Sequence, residues 1–497
     1  MAMTPAVDIS LRHPDRLYIG GRWAKPSGDA MFDVITPATE EVGFRVAEAS
    51  EADVAAAVTA ARSAFDQGPW PRMTQAERAD CLRRIADGLD RRTDDLASLA
   101  PRESGVIRAL AHQSASMLGP VFRSFADMAD TFPFVERHVP GPTGGGGTGL
   151  LVQEPVGVVA AIVPWNGPAV IGAYKTGPAL LAGCTVVLKM PPEAPSAGYV
   201  LAEVAEEAGL PAGVLNIVTA DRDASAALVR DPRVDKVSFT GSNATGIGIA
   251  TVCASRLARV TLELGGKSAA LILDDYDLEK AARTVAASTR HLSGQVCYAT
   301  TRLIVDRHRH DAFVDALVGA FGSTRVGDPL DPATEMGPVI SARQRDRIEG
   351  YLAKGRADGA RLATGGGRPA HLDRGFYIEP TVFADVDNQS VIAQEEIFGP
   401  VLTVIAADGE DEAIAKANDT VYGLNASVYT DDVERAYAIA RRLRSGTVGH
   451  NGPRTDGTIG FGGVKQSGIG REGGTEGLRA YLEPKTVLLD AAPRKFG

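Results

Sequence analysis

The sequence predicts an α/β protein with two Rossmann-like, doubly wound lobes and a small β extension. Between residues 157 and 264, short apolar runs alternate with helix-like segments, which is typical of βαβ units and a parallel sheet. Strand and helix signals alternate again beyond residue 300, which indicates the second lobe. The apolar runs of the first lobe are 158–163, 185–188, 214–218, 236–239 and 260–264.

Composition excludes several classes of protein. The chain has 497 residues, enough for two or three domains, and its 44% hydrophobic and 23% charged content is ordinary for a globular protein. With 52 basic and 62 acidic side chains and no block of like charge, we expect no nucleic-acid partner. No apolar run approaches the roughly 18 residues of a membrane span, and the start lacks a signal-peptide core, so we expect a cytoplasmic location.

Cysteine and histidine spacing argues against a metal site. Four cysteines stand far apart without a CxxC pair, which fits a reducing compartment and excludes a compact zinc knuckle. No HExxH occurs, and His308 and His310 lie in a basic turn that we expect to be exposed. The prediction is therefore an enzyme or binding protein without a metal. The cysteines are Cys81, Cys184, Cys253 and Cys297.

The first 130 residues are predicted to form a short strand region followed by helices. Ser50 with Asp53, and Thr74 with Glu77, have the spacing of an N-terminal capping box. Beyond them, prolines and the glycine run 144–147 predict a flexible hairpin tip or flap, because no helix start follows the glycines.

The chemically useful residues of the first lobe follow the predicted strands. In an open parallel sheet, ligands bind beyond the carboxyl ends of the strands, so these residues should converge on one edge. They are Pro164, Trp165 and Asn166 after the first strand, Lys189 at the second, Thr240, Gly241 and Ser242 after the fourth, and Glu263 at the fifth.

Glu263 and Cys297 suggest a base and a nucleophile. Glu263 precedes Gly265 and Gly266, and Cys297 follows a Gly-Gln turn, so backbone can approach a ligand closely at both places. Most cysteines are inert and buried, however, and most glutamates are solvated or cap a helix. We interpret Glu263 and Cys297 as a catalytic pair only because of the other motifs in the chain, which are described below.

Two glycines suggest a dinucleotide site. Gly241 and Gly246 surround a predicted helix start, where backbone N–H groups can approach a pyrophosphate, although the spacing is not GxGxxG. The usual acidic ribose-binding residue at the end of the second strand is replaced by Lys189. A lysine can hydrogen-bond ribose hydroxyls or tolerate a phosphate, which leaves NAD and NADP both open.

The second lobe is predicted from strands at 301–305, 401–406 and 424–429, with a helix at 312–321. The tail 485–489 is β-prone and predicts an edge strand that can pair with another subunit.

Seven motifs in one order resemble those of the aldehyde dehydrogenase superfamily, from Tyr18 to the neighbourhood of residue 490. They are Pro164-Trp165-Asn166 with Pro168; Lys189; Phe239-Thr240-Gly241-Ser242; Leu262-Glu263-Leu264-Gly265-Gly266-Lys267; Gly294-Gln295 with Cys297; Glu395-Glu396-Ile397-Phe398-Gly399-Pro400; and Phe461-Gly462-Gly463 with Lys465, Ser467 and Gly468.

The resemblance implies an NAD(P)-dependent, hydrolytic enzyme that oxidises an aldehyde to its acid. Cys297 would attack the carbonyl as a thiolate, and the Asn166 amide with the Cys297 N–H would hold the oxyanion. Glu263 would activate the water that hydrolyses the thioester. Lys175 matches a family lysine near the site.

The resemblance also implies a cofactor site for NAD, with NADP possible. Trp165 and Lys189 would meet the adenosine ribose, Ser242 the pyrophosphate, and Glu396 with Phe398 the nicotinamide ribose. The full predicted set is Ile162, Val163, Pro164, Trp165, Lys189, Pro192, Glu193, Phe239, Gly241, Ser242, Leu264, Gln344, Glu396 and Phe398.

Three positions depart from the family pattern. Many NAD-preferring members carry Glu where this chain has Pro192, with the acid one residue later at Glu193. Leu292 replaces a frequent Asn, which should affect loop packing more than chemistry. Residues 219–223 lack the glycines often found near the adenine pocket.

The predicted substrate pocket is apolar and aromatic, which indicates a medium-to-large hydrophobic aldehyde. Arg454 is the one nearby cation that could instead favour a carboxylate-bearing semialdehyde. Two tyrosines make a poor cage for a quaternary ammonium. The predicted lining residues are Gly167, Ile171, Tyr174, Val296, Tyr298 and Phe461.

Domain boundaries follow from the same resemblance. We expect a dinucleotide-binding domain at 1–134 and 153–263, a catalytic domain at 264–472, and an oligomerisation flap at 135–152 and 473–497, in a homo-oligomer that is a dimer or a tetramer. Two alternatives stay open: a CoA-acylating dehydrogenase, and a catalytically silent protein on the same fold.

Overall fold

A computed structural model describes residues 11–144 and 146–494. In these ranges the strands are β1 Leu17–Ile19, β2 Arg22–Ala24, β3 Met31–Thr36, β4 Glu41–Ala47, β5 Val135–His138, β6 Thr148–Pro155, β7 Val158–Ile162, β8 Thr185–Met190, β9 Leu215–Thr219, β10 Lys236–Thr240, β11 Arg259–Glu263, β12 Ser268–Ile272, β13 Thr300–Asp306, β14 Arg361–Thr364, β15 Thr381–Ala384, β16 Val401–Ala407, β17 Asn425–Tyr429, β18 Thr447–His450, β19 Gly468–Ile469 and β20 Leu482–Leu489.

The α-helices are α1 Glu51–Asp66, α2 Gln75–Arg91, α3 Thr93–Ser104, α4 Arg108–Ser116, α5 Leu118–Thr131, α6 Pro168–Ala182, α7 Ser196–Glu207, α8 Arg222–Arg230, α9 Asn243–Ala254, α10 Leu278–Arg290, α11 His310–Gly322, α12 Ala342–Ala357, α13 Val391–Gln394, α14 Glu410–Asn418, α15 Val433–Ala440 and α16 Gly474–Arg479. Within the described ranges, none of the helices combines the length and the apolar character needed to cross a bilayer.

The first lobe is organised around a sheet with strand order β19-β11-β10-β7-β8-β9-β1-β2. Its centre, from β11 to β9, is parallel, whereas β1, β2 and β19 are antiparallel additions at the edges. Every residue of β7 and β9 is buried, because helices cover both faces of the sheet. The switch in strand order places β7 beside β10 and puts the carboxyl ends of β7, β8, β10 and β11 along one edge.

The second lobe repeats this architecture with strand order β14-β15-β16-β13-β12-β17-β18. All neighbours pair in parallel except β14 and β15. Two buried apolar clusters lie on its two faces, one around Ile304 and Ile405 and the other around Phe313 and Leu402. The predicted α/β class with two doubly wound lobes is confirmed.

The β extension is a three-stranded antiparallel sheet in the order β20-β6-β5. The tail strand β20 pairs along its whole length with β6, from Leu482 opposite Pro155 to Leu489 opposite Thr148. The predicted hairpin joins β5 to β6, although Gly145 within it lies outside the described residues. One edge of the tail strand is therefore covered by its own chain.

Local sequence signals account for the helix starts. The side chains of Ser50 and Thr74 both accept a hydrogen bond from the N3 backbone N–H, and the carboxylates of Asp53 and Glu77 accept one from the backbone N–H of the cap residue, so both predicted capping boxes are confirmed. The prediction that His310 lies in an exposed turn is wrong. His310 begins α11 and is only 5% exposed, and its ring nitrogens contact the exposed carboxylates of Asp311 and Asp385.

Candidate active site

The carboxyl ends of four neighbouring strands carry the predicted site residues. Asn166 follows β7, Lys189 lies within β8, Gly241 follows β10 and Glu263 ends β11. These strands are neighbours and pair in parallel, with Ile162 opposite Lys189 and Thr240 opposite Glu263. The sheet therefore brings these positions together along the edge formed by the carboxyl ends of its strands. The structure thus brings the predicted site residues together, as the sheet topology predicts.

Cys297 stands at the end of a tight loop between α10 and β13. Leu292 and Ser293 both have left-handed backbone, with φ of 49° and 55°. The Ser293 hydroxyl donates to the carbonyl oxygen of Gly337 at 2.8 Å, which anchors the loop to the second lobe. Gln295 fixes the last turn, since its side chain donates to Leu292 O at 2.8 Å and accepts from the Ile340 N–H at 3.1 Å.

Asn166 reaches this loop from the first lobe. Its side-chain amide donates to the backbone carbonyl of Gln295 at 2.9 Å, two residues before Cys297. This bond orients the amide and leaves its second hydrogen available to an oxygen held on the Cys297 sulfur.

The surroundings of Cys297 oppose ionisation of the thiol. Burial raises its pKa, and the carboxyls of Glu396 and Glu263 raise it further, whereas the backbone N–H groups of Tyr298 and of Cys297 itself act in the other direction. The resting side chain is therefore a thiol, and a thiolate forms only when a base or a positive charge arrives.

Glu263 is a buried carboxyl without a hydrogen-bond partner for either oxygen among the described residues. Burial raises its pKa well above the usual range, and Glu472 adds to that effect, while Lys175 and Arg471 lower it. A carboxyl with a raised pKa and free oxygens is suited to accept a proton from water. Gly462, with φ of +150°, makes room for it, because a Cβ there would lie 2.5 Å from Glu263 Oε1.

Sequence reasoning missed Glu472 and Ser238. The Lys175 ammonium, fully buried on α6, contacts Glu472 Oε1 at 2.5 Å and donates to Ser238 Oγ at 3.0 Å. Ser238 lies in β10 and also reaches Glu472 Oε1, at 3.2 Å. Because Lys175 and Glu472 are 297 positions apart, no local pattern could have paired them.

The motif that ends with Ser467 supports the turn after Glu263. The Ser467 carbonyl accepts from the Leu264 N–H at 3.0 Å, and its hydroxyl donates to Gly265 O at 2.7 Å. Gly468 pairs with Glu263 as part of β19, and a Cβ at Gly468 would lie 2.0 Å from Leu262 O. These contacts explain why the Phe-Gly-Gly motif and the Leu-Gly-Gly motif occur together.

The predicted pyrophosphate site is the start of α9. Ser242 caps this 12-residue helix by accepting from the Thr245 N–H, and its first turn carries no acidic residue. Gly241 precedes the cap, and Gly246 packs so closely that a Cβ would lie 2.6 Å from Leu264. A helix start without carboxylates suits an anionic group, so these residues fit a dinucleotide.

The predicted nicotinamide side of the site brings both lobes together. Trp165, which was expected at the adenosine ribose, instead packs edge to face on Phe398, with ring centroids 5.3 Å apart. Phe398 has φ of 64° and is held there by Gln344, whose side chain donates to Phe398 O at 2.7 Å. Glu396 accepts from the Gly266 N–H at 3.1 Å, and burial raises its pKa to about 7.

At the predicted adenosine end, the Lys189 side chain is enclosed near the carboxyl end of the central strand β8. Burial lowers its pKa to about 8, against the opposing effect of Glu193 and then Asp221. Pro192 gives no carboxylate there, and Glu193 instead pairs with Arg343 of α12 at 3.4 Å. Of the remaining predicted residues, Ile162, Val163, Phe239 and Leu264 are buried around the strand ends, and Pro164 follows them.

The predicted substrate side is lined by apolar and aromatic groups. Tyr298 and Phe461 pack edge to face at 6.1 Å, and Tyr174 packs the same way on Phe125 at 6.3 Å. Gly167 leaves space that Ile171 partly takes, because a Cβ at Gly167 would lie 3.4 Å from Ile171 Cδ1. Val296 is half-buried beside the thiol-bearing residue. Arg454 is exposed and donates to His450 O at 3.0 Å, in the loop before Phe461.

One cluster of potential metal ligands occurs in the described residues, away from this site. His310 lies 2.9 Å from Asp311 and 3.7 Å from Asp385, and Arg361 contacts both carboxylates. The guanidinium supplies the positive charge that balances the acids, so the cluster is an ion-pair network in this structure.

Comparisons with known proteins identify the family of this chain. The model of the aldehyde dehydrogenase family matches residues 23–487. The chain belongs to the aldehyde dehydrogenase family. It is 45% identical over 479 residues to the geranial dehydrogenase of Castellaniella defragrans, covering 95% of this chain and 98% of that one.

Solved aldehyde dehydrogenases have the same fold. The Mycobacterium tuberculosis enzyme complexed with NAD+ superposes with a TM-score of 0.93 at 45% identity, covering 97% of this chain and 99% of that one. A mutant of aldehyde dehydrogenase C from Pseudomonas syringae, in complex with NAD+ and octanal, gives a TM-score of 0.91 at 38% identity, covering 98% and 99%. The predicted enzyme class, an NAD(P)-dependent aldehyde dehydrogenase, is confirmed.

Proposed function

We propose that this aldehyde dehydrogenase converts a medium-to-large hydrophobic aldehyde into its carboxylic acid through a thioester on Cys297, with water as the final acceptor. One observation carries the proposal: the Asn166 amide is bonded to the loop that presents Cys297, and an unpartnered, buried Glu263 carboxyl is close enough to influence the thiol. Nucleophile, oxyanion donor and base thus meet at one sheet edge.

In the first half of the reaction, the sulfur of Cys297 attacks the aldehyde carbon. Burial and the carboxyls of Glu263 and Glu396 favour the protonated thiol, so the S–H bond breaks before the attack and its proton passes to water in the cleft, which reaches the half-buried Cys297. The free Asn166 N–H and the Cys297 N–H stabilise the oxyanion, and losing one such donor costs on the order of 100-fold or more in rate. The bound dinucleotide supplies the hydride acceptor.

In the second half, the acyl group remains on Cys297 as a thioester. Glu263 removes a proton from a water molecule, the resulting hydroxide attacks the thioester carbon, and the carbon–sulfur bond breaks to release the acid. A general base of this kind contributes about 100- to 10,000-fold. The Lys175–Glu472 pair adjusts how readily Glu263 gives up or takes that proton.

The substrate class rests on the lining side chains. Tyr174, Tyr298 and Phe461 offer apolar surface, and Gly167 adds no side chain to the predicted tunnel wall. The geranial dehydrogenase relative is named for a terpenoid aldehyde, and the Pseudomonas syringae enzyme was solved with octanal, which supports the same class here. Arg454 donates to a backbone carbonyl and is exposed, so it does not mark a buried carboxylate site.

Cofactor choice is proposed as NAD, with NADP accepted. The NAD+ complexes of the Mycobacterium tuberculosis and Bacillus cereus enzymes support NAD. The lysine at the ribose position and the proline where a carboxylate is common support some use of NADP.

We also propose the domain division given above, and that the protein is a homo-oligomer. The homo-oligomer is supported by β20, because Leu488 on this strand is 57% exposed and one edge of the strand is open among the described residues.

A substrate panel tests the proposal. Reduced-cofactor formation is measured with octanal, geranial, succinic semialdehyde and betaine aldehyde, each with and without CoA. We expect kcat/KM for octanal or geranial to exceed that for both charged aldehydes by about 10-fold or more, without CoA. Equal efficiency on succinic semialdehyde would overturn the substrate class. Turnover that requires CoA would favour the acylating alternative and remove water as the acceptor.

A further inference from the structure

Three charged residues form a chain at the adenosine end of the proposed cofactor site. Lys189 lies at the carboxyl end of β8, Glu193 follows four residues later, and Arg343 comes from the other lobe. Glu193 acts on Lys189, and its Oε1 lies 3.4 Å from a guanidinium nitrogen of Arg343. The charges thus alternate plus, minus, plus across the gap between the lobes.

Arg343 is placed at the cofactor cleft by the helix that carries it. It is the second residue of α12, directly before Gln344, whose side chain holds the backbone of Ile397 and Phe398. Two neighbouring residues of the first turn of α12 thus contact Phe398 and Glu193, respectively.

The Arg343 side chain is free to change partner. It is 83% exposed, its ion pair with Glu193 is at the long end of the range, and an exposed pair of this kind contributes little, about 0–1 kcal/mol. Arg347, one turn later, does not have this freedom, because its guanidinium donates a hydrogen bond to the Glu396 carbonyl oxygen at 2.6 Å. Arg343 is thus the exposed cation of this helix that contacts Glu193.

We propose that Arg343 is a specificity-determining residue that binds the 2′-phosphate of NADP, and that Glu193 counteracts it. The inference rests on the cofactor site proposed above. A guanidinium can engage a phosphate through two parallel N–H donors, which an ammonium cannot do. Lys189 lines the ribose on the other side, and Pro192 adds no carboxylate to repel the phosphate. Glu193 supplies that repulsion instead, and releasing Arg343 from Glu193 is part of admitting the phosphate.

The test uses adenosine fragments, so that it reads the adenosine end alone and needs no turnover. Binding of 2′,5′-ADP and of 5′-AMP is measured by calorimetry on the full-length protein, for the wild type, Arg343→Gln, Glu193→Gln and the double variant. Arg441→Gln is the matched control, because Arg441 is exposed and its side chain has no hydrogen bond among the described residues.

We expect Arg343→Gln to weaken the binding of 2′,5′-ADP by about 10-fold or more and the binding of 5′-AMP by less than about 2-fold, since the charged, two-donor contact with the 2′-phosphate is lost. Glu193→Gln should tighten the binding of 2′,5′-ADP by a few-fold, because it removes one negative charge that repels the 2′-phosphate. The control should leave both dissociation constants unchanged.

Equal weakening of both fragments in Arg343→Gln, or no change in either, would overturn the role of Arg343 while leaving the cofactor site intact. Failure of the wild type to bind either fragment, or NAD, would overturn the placement of the cofactor site itself and the proposal with it.

Discussion

Nζ of Lys175 lies 2.5 Å from Oε1 of Glu472 in a buried ion pair that reaches from α6 to the segment after β19. The side chain of Lys175 is fully buried and that of Glu472 is 9% exposed. The pair lies close enough to Glu263 that its two members move the pKa of that carboxyl in opposite directions. The proton affinity of Glu263 is therefore raised mainly by burial and is further adjusted by the two members of this ion pair.

Glu472→Gln should shift the pH profile of turnover to lower pH. Glu472 raises the pKa of Glu263, so removing its charge lowers that pKa, and the Lys175 charge left behind acts in the same direction. A base works only when ionised, so the acidic limb of kcat should move down by about 1 pH unit. Glu476→Gln, an exposed acid on α16, is the control; a shift to higher pH would contradict the assignment.

Leu292→Asn should stabilise the protein. Leu292 has φ of 49°, a left-handed conformation that costs a leucine roughly 1–2 kcal/mol and that asparagine adopts more easily. We expect a gain of about 0.5–1 kcal/mol in the free energy of unfolding, measured by denaturant titration. Leu257→Asn, at an 82% exposed leucine with φ of 58°, is the matched case and should give a similar gain without altering activity. A loss of stability in Leu292→Asn would mean that packing of the leucine outweighs backbone strain.

Gly167→Phe should narrow the substrate tunnel. The φ of Gly167 is −160°, which any residue adopts, so the effect comes from the side chain, and the nearest atom to its Cβ is Ile171 Cδ1 at 3.4 Å. We expect kcat/KM for geranial to fall by about 10-fold or more, whereas the value for acetaldehyde should change less, because a short substrate does not need that volume. Equal losses on both aldehydes would place Gly167 outside the tunnel.

Cys297→Ala should abolish oxidation and leave cofactor binding nearly unchanged. The thiol carries the acyl group, but the predicted cofactor contacts come from strand ends and from α9, not from this side chain. NADH binding is measured by fluorescence titration beside a steady-state assay. Residual turnover in Cys297→Ala above the uncatalysed rate would exclude Cys297 as the nucleophile.

Much of this architecture follows from local pattern. Apolar runs bounded by helix signals located the five central parallel strands of the first lobe and three of the seven strands of the second lobe within a few residues, because buried parallel strands are apolar on both faces. The strands β12, β14, β15 and β18 of the second lobe were not predicted. The position of Asn166, Lys189 and Glu263 at strand ends then followed from topology alone. Capping boxes located α1 and α2 because the signal needs only four neighbouring residues.

Contacts between distant parts of the chain were not accessible in the same way. Glu472 pairs with Lys175, and Glu193 with Arg343, across separations that no periodicity spans. His310 was misplaced for a related reason, because its surroundings, which include Asp385 after β15, come from distant parts of the chain. The effect of such residues depends on charged groups that the fold brings together from distant parts of the sequence.

The central claim, a thioester on Cys297 that Glu263 hydrolyses, is tested most directly by intact-protein mass spectrometry of Glu263→Gln after mixing with NAD and octanal. The account predicts a protein mass increased by one octanoyl group on Cys297, with one equivalent of NADH formed and no steady turnover. The adduct should be absent in the double variant with Cys297→Ala. Steady turnover by Glu263→Gln, or one equivalent of NADH without an acyl adduct, would contradict the account.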